Sequence, residues 1–325
     1  MGTNSPFKRH ESLWLEDGNV ILQAEDTQFR VHRSMLARHS TIFKDIFSIP
    51  QQDQIMDPIV DGCPVVSLSD SAEDLEHILL IFYDNHRFLD LREKLSVGAI
   101  AAMLRMGKKY DIAYVQDEAL RRLRREFPTT IMSRWQLNTI FNVIDYGPDA
   151  SKAVSAIIAL AREHGVPSIL PAAFLHYIET TMLEEILDTD DSELPRDARR
   201  QCILGRDKFI HTAHSKILSW LHLPTFMPAH SCAQPTTCHT QRDAVFKDLC
   251  NTLCIGNAGK LQWELVLHLA RSIADSLGER RSLCTACTLS ISSCIETSFN
   301  ELWLDLPNFF RLPGWDQLKD FDSLG

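Results

Sequence analysis

Regular patterning begins at residue 19. Residues 19–24, NVILQA, form an apolar run that predicts a strand. EDTQ reads as a turn. Residues 28–32 then alternate, with Phe29 and Val31 on one face, so the two segments predict a hairpin. The period changes after His32 from two to a helical one. Met35 and Leu36 begin a helical stripe. Ser40 occupies an N-cap position ahead of Ile42, Phe43, Ile46 and Phe47 at helical spacing. Residues 48–64 are polar and carry Pro50, Pro58, Gly62 and Pro64, which predicts a loop. PVVSLSD predicts a third strand. Ser71 and Asp74 have capping-box spacing ahead of Leu75, Ile78, Leu79 and Phe82 at i, i+3, i+4 and i+7. Ser96 caps a helix whose face is Val97, Ile100, Ala101 and Leu104. Another helix is predicted over 113–127, ended by Pro128. The order β-β-α-α-β-α-α-α describes a small sheet with a cluster of helices.

Beyond Pro128 the pattern is almost entirely helical. RWQLNTIFNVIDYG predicts one helix, and residues 151–164 another, stopped by Gly165 and Pro167. Pro171 opens a third. EEILDTDDSELP, residues 184–195, is an acidic break that reads as a surface loop. A helix is expected over 196–221. Residues 222–241 form a loop rich in Pro, His, Thr and Ser. Helices are expected near 241–255, 260–277 and 284–304, and LPNFFRLPGWDQLKDF closes the chain. No internal repeat of fixed period is present.

Composition places this pattern in an ordinary globular class. The chain has 325 residues, 45% hydrophobic and 23% charged, which suggests roughly two domains. The net charge of −10 argues against non-specific nucleic-acid binding by the whole molecule. No apolar run approaches the about 18 residues that cross a bilayer, so no membrane role is expected. MGTNSPFKRHE lacks the apolar core of a secretory signal, and Pro6 spoils a myristoylation site at Gly2. The nine cysteines are therefore expected to be thiols or metal ligands in a reducing intracellular compartment, cytoplasmic or nuclear.

The first domain resembles the BTB/POZ family over about residues 17–127. The family pattern is a hydrophobic strand, Phe-x-x-His-(Arg/Lys), a short helix and Ser-x-x-Phe-x-x-hydrophobic-Phe. Here it is carried by Phe29, His32, Arg33, Met35, Leu36, Ser40, Phe43, Ile46 and Phe47. Phe43 and Phe47 are expected to fill the space between sheet and helices. His32 is expected to hydrogen-bond the strand-to-helix corner. The segments at 160–175 and 302–318, together with the Cys pairs, are similar to a large fungal group of BTB proteins with an all-helical C-terminal region. Neither a kelch repeat nor a zinc finger of the two-Cys, two-His type is present.

The resemblance implies an α+β BTB/POZ-like domain over 17–128, after an N-terminal tail at 1–16, and a mostly α-helical domain over 129–325. It further implies a protein-interaction adaptor or scaffold whose partner is a cullin or another BTB protein, in a ubiquitin ligase or in transcription. Cullin contact in BTB adaptors uses helices that correspond here to about 71–83 and 113–127. Long-form BTB homodimers start with an extra helix before the first strand. Only residues 1–18 precede NVILQA here, so the homodimer is not carried over.

The cysteines are the main chemical candidates. Cys232 and Cys238 lie in the Pro-rich loop, and Cys284 and Cys287 form C-x2-C at the start of a late helix. Two such pairs could hold one structural zinc through four thiolates, with His239 as a substitute ligand. The alternative is that each is a small buried apolar residue. Cys250 and Cys254 share a helix face with Phe246, Leu249 and Leu253 and read as core. Cys63, Cys202 and Cys294 stand alone. His211 and His214 sit at i, i+3, but no H-E-x-x-H accompanies them. GNAGK, residues 256–260, lacks the spacing of a phosphate loop, and no G-x-S-x-G exists.

RRLRRE, residues 121–126, reads as a solvated helix face with Leu123 inward, or as a dock for an acidic group. WLDLPNFFRLPGW reads as an extended or turn-rich tail that plugs the helical domain, or as an exposed aromatic motif. The leading function is thus non-enzymatic protein binding. The alternatives are a zinc-dependent enzyme and a zinc-stabilised nucleic-acid binder built on the C-terminal half.

Overall fold

The computed structural model describes residues 7–48, 58–84, 93–131, 143–217, 219, 229–242, 244 and 283–321. The chain divides into two compact units. One takes the described residues through Glu126 together with 143–147, and the other takes the remainder.

The N-terminal unit is built on a five-stranded sheet of order β1-β3-β2-β5-β4. The strands are β1 (Lys8–Trp14), β2 (Val20–Ala24), β3 (Thr27–Val31), β4 (Ile59–Val60) and β5 (Cys63–Leu68). β2 and β3 make the expected hairpin, with Leu22 opposite Phe29 and Val20 opposite Val31. β2 pairs parallel with β5. Val20, Ile21, Leu22 and Ala24 are all buried, which explains why NVILQA is apolar without alternating. One face of the sheet carries a small cluster of Ile21, Cys63 and Val65, covered by Trp14 and Val60.

Two strands depart from the sequence reading. Residues 8–14, expected to be tail, form β1, parallel to β3. Only Leu13 of β1 is buried, so its sequence shows no apolar face. β4 and the start of β5 lie in the stretch expected to be loop. Backbone pairing of Ile59 with Pro64 and Val60 with Cys63 overrides the Pro and Gly signals there.

Around the sheet lie α1 (Arg33–His39), α2 (Thr41–Ser48), α3 (Ala72–Tyr83), α4 (Val97–Lys109) and α5 (Ala113–Glu126). Ser71 and Ser96 cap α3 and α4, accepting from the amides of Asp74 and Ala99 at 3.1 Å each. The Asp74 carboxylate takes a bidentate pair from Arg105 on α4 at 2.6 and 2.8 Å, which locks α3 to α4. β6 (Leu95–Ser96) pairs with β7 (Ile144–Asp145). RWQLNTIFNVIDYG was expected to be one helix. Its residues 134–142 lie outside the described residues, and strand β7 lies near its end.

The C-terminal unit contains α6 (Ala150–Glu163), α7 (Leu170–Thr180), α8 (Leu183–Asp188), α9 (Arg196–Ile217), α10 (Thr285–Leu304) and α11 (Leu306–Phe309). α6 starts at Asp149, whose side chain accepts from the Lys152 amide at 3.0 Å. It ends at Gly165, with φ +65°. The Val166 amide donates to Ala161 O at 2.8 Å, the six-to-one bond of a Schellman close. The acidic break is not all loop. Its first half is α8, because Glu185 reaches back to the Met182 amide at 2.9 Å and Ile186 is fully buried. Of the helix expected near 241–255, residues 241, 242 and 244 are helical; its residues 245–255, with Cys250 and Cys254, and the helix expected near 260–277, with GNAGK, lie outside the described residues.

The tail closes this unit. Phe310 is fully buried and stacks on Phe174 with centroids 5.1 Å apart, and Phe309 meets Phe209 edge-on at 5.5 Å. Trp303 donates to Thr129 O and Trp315 to Trp303 O, both at 2.9 Å. Asp320 accepts from the Ser168 amide and hydroxyl at 3.0 and 2.7 Å. Part of this tail is helical and not extended, since Pro307 sits in the first turn of α11. A side chain on Gly205 of α9 would collide with the Phe310 ring. Gly205→Ala is therefore expected to cost about 1–3 kcal/mol by overpacking, read as a lowered urea midpoint with unchanged slope.

Candidate functional site

Two constellations stand out, one in each unit. The first is the corner between β3 and α1. The His32 amide donates to the Tyr83 hydroxyl at 2.9 Å, and His32 Nδ1 lies 3.0 Å from the same oxygen. His32 Nε2 faces Asp17 at 3.3 Å. The Arg33 amide donates to Asn19 Oδ1 at 2.9 Å. The imidazole thus ties β3 to α3 and to the turn before β2, as a corner bond would. Leu36 and Phe29 are fully buried.

Ser40 holds the next corner. It donates to Tyr110 O at 2.6 Å and accepts from the Phe43 amide at 3.1 Å. Phe43 is buried and stacks on Tyr110 with centroids 4.4 Å apart. Phe47 differs from expectation. It is only half-buried, with the Arg33 guanidinium 5.6 Å over its ring. Ile42 and Ile46 are exposed at 39% and 37%, so the stripe on α2 buries one aromatic ring and not four side chains.

The second constellation is four thiols. Cys232 follows a turn in which its amide donates to Ala229 O at 2.9 Å. Cys238 lies in the helical stretch 235–242. Cys284 immediately precedes α10, and Cys287 is in its first turn. The four sulfurs all lie within 4.8 Å of one another. Cys232 and Cys284 Sγ are 3.6 Å apart, far beyond a disulfide bond. Four thiolates around zinc, each at about 2.3 Å, would stand about 3.8 Å apart in a tetrahedron. The donor set therefore fits such an ion.

Backbone amides already point at the sulfurs. Ala229 donates to Cys287 Sγ at 3.4 Å and Cys284 to Cys238 Sγ at 3.5 Å. Such bonds favour thiolates and fix their direction. The Cys287 amide draws the Cys284 thiol down to about 6, while burial pushes Cys287 up to about 12 and also raises Cys238. A single ionised sulfur discourages its neighbours from ionising. A divalent cation would reverse that by stabilising all four charges.

His239 is exposed and outside the cluster. Among the described residues, no other group of His, Cys, Asp or Glu converges in this way. Cys202 is buried in apolar surroundings that raise its pKa, Cys63 donates to Gly18 O at 3.3 Å, and Cys294 lies 3.3 Å from Ser219 Oγ.

Residues 12–126 match the family model of the BTB/POZ domain. The N-terminal unit is a BTB/POZ domain. A search of curated proteins gave no match to this chain. BTB domains mediate protein–protein interaction, including binding to cullins and self-association.

The BTB domain contains an anchor that the sequence reading assigned to solvent. Arg122 is fully buried, not part of a solvated face. Its Nε donates to Glu118 Oε1 at 2.7 Å, and its Nη1 donates to Glu93 O at 2.7 Å and Val143 O at 3.3 Å. One turn on, Glu126 accepts from the Val143 amide at 3.0 Å and the Tyr146 hydroxyl at 2.8 Å. Glu118, Arg122 and Glu126 recur every four residues, so they lie along one helix face. That spacing was a signal in the sequence, hidden by the neighbouring exposed arginines.

Proposed function

We propose that this chain is a non-enzymatic interaction adaptor or scaffold, intracellular, in the cytoplasm or nucleus. Its BTB domain engages a cullin-type ubiquitin ligase scaffold, a transcriptional complex or another BTB protein. The observation that carries this reading is the BTB match over residues 12–126, with the signature residues packed at their corners. The helices that meet cullins in BTB adaptors correspond to α3 and α5. Leu80 on α3 and Tyr114 on α5 are 39% and 38% exposed. Among the described residues no helix is long and apolar enough to cross a membrane, and all described cysteines are unpaired.

Capture of purified cullins by the tagged full chain tests the adaptor reading. Leu80→Asp with Tyr114→Phe is expected to weaken capture at least tenfold while the far-ultraviolet circular dichroism stays that of the folded protein. Capture of no cullin, combined with a monomeric mass in light scattering, would remove the main support for it.

The four-thiol centre is read as one structural zinc. Four protein sulfurs would complete a tetrahedral shell and would leave no open position for substrate or water. This favours a structural role over a zinc-dependent enzyme. The net charge of −10 speaks against the nucleic-acid alternative.

A further inference from the structure

We infer that the four-thiol centre is an oxidant-gated clasp, in which a hydroperoxide joins Cys232 to Cys284 and expels the metal. This inference rests on the zinc reading above. Its basis is an asymmetry within the cluster. Cys238 and Cys287 are fully buried, while Cys232 and Cys284 are partly exposed. A small oxidant from solvent therefore meets the second pair first. That pair is also close, with sulfurs 3.6 Å apart. Closing to a bond of about 2.05 Å requires a movement of roughly 1.5 Å. Cys232 sits in a short non-helical stretch between the turn at 229–231 and the helical residues 235–242. Cys284 lies just outside α10. Neither needs a helix to break.

The chemistry balances with hydrogen peroxide as the hydroperoxide. One thiolate attacks the peroxide O–O bond, giving a sulfenic acid and a hydroxide that takes a proton to become water. The second thiolate attacks the sulfenic sulfur. An S–S bond forms, the S–O bond breaks, and the leaving hydroxide is protonated to a second water. Two electrons pass from the sulfurs to the peroxide. A bound metal would then be left with only the Cys238 and Cys287 sulfurs, and these would take up two protons on its release. A set of two thiolates is no longer a closed tetrahedral shell.

What this opens is the tie between the 229–242 stretch and the start of α10, segments joined across 52 positions at Cys232 and Cys284. A reductant reverses the bond by thiol exchange and lets zinc return. The clasp would thus make the C-terminal unit's loop sensitive to oxidant while the BTB domain keeps its packing.

The test uses the reduced, full-length chain titrated with hydrogen peroxide. Zinc release is followed with a chromogenic chelator, and disulfides are mapped by alkylation and mass spectrometry. One zinc lost for each Cys232–Cys284 bond formed, with recovery on adding thiol and zinc, is the expected result. Zinc retained at peroxide levels that oxidise a free thiol peptide overturns the clasp. So does a first linkage between Cys284 and Cys287 or between Cys238 and Cys287. Reduced protein without stoichiometric zinc instead defeats the zinc reading, and the clasp falls with it.

Discussion

Arg122→Ala is expected to be among the most damaging single substitutions in the BTB domain, lowering its stability by about 3–5 kcal/mol. The guanidinium is wholly removed from water, and its partners include the Glu118 carboxylate and the carbonyls of Glu93 and Val143. Truncation leaves two backbone acceptors and a carboxylate that is only 6% exposed with fewer donors. Glu118 keeps Arg121 on its outer oxygen at 2.5 Å, which moderates the loss and holds it at the lower end of that range. The carbonyls belong to the segments carrying β6 and β7, so the loosening should appear first as hydrogen exchange at Leu95 and Ile144. Urea unfolding measures the total. Asp117→Ala, on an exposed position of the same helix, should stay within about 0.5 kcal/mol. Equal effects at the two positions would show that the buried network carries no special share of stability.

Cys287→Ser is expected to abolish stoichiometric zinc and to destabilise the C-terminal unit by several kcal/mol. Structural zinc sites contribute apparent binding free energies on the order of 10 kcal/mol, which is lost folding energy when the site cannot fill. By the usual scaling a net loss of several kcal/mol corresponds to a fall in melting temperature on the order of 10 °C for a domain of this size. Cys287 is the informative position. Its sulfur is fully buried and accepts the Ala229 amide, so it ties α10 to the loop directly. Elemental analysis and a thermal scan check both parts. Cys202→Ser, at a buried thiol outside the cluster, separates the two effects by keeping the zinc. A Cys287→Ser protein that melts with the wild type would make the cluster four separately packed thiols.

The places where sequence and structure part company share a cause. β1 was illegible because an edge strand buries little, and only Leu13 of its seven residues is covered. β7 was hidden because the apolar residues before it read as helix, while its pairing partner, β6, lies far back in the chain. The stripe Ile42, Phe43, Ile46, Phe47 predicted α2 correctly but overstated what it buries. Periodicity locates a face without showing how wide its partner is. In the tail, the Leu-Pro steps signalled breaks, yet Pro307 begins a helical turn, the one helical position where proline's missing donor costs nothing.

The sequence by itself determined the module and most of its elements. Hairpin, capping serines and the Gly165 stop follow from interactions within a few residues, which local spacing records, whereas the His32 corner closes on Tyr83, 51 positions away. It also named the four candidate cysteines, because C-x2-C and the loop pair are local patterns. Which distant groups meet is settled by the folded chain and not by local spacing. The four sulfurs come within 4.8 Å across a gap of 52 positions, and Arg122 turns from an apparent surface charge into the buried partner of Val143. No period in a chain encodes such meetings. They depend on how helices and strands close over one another, and burial then decides whether a thiol or a guanidinium faces water or a partner.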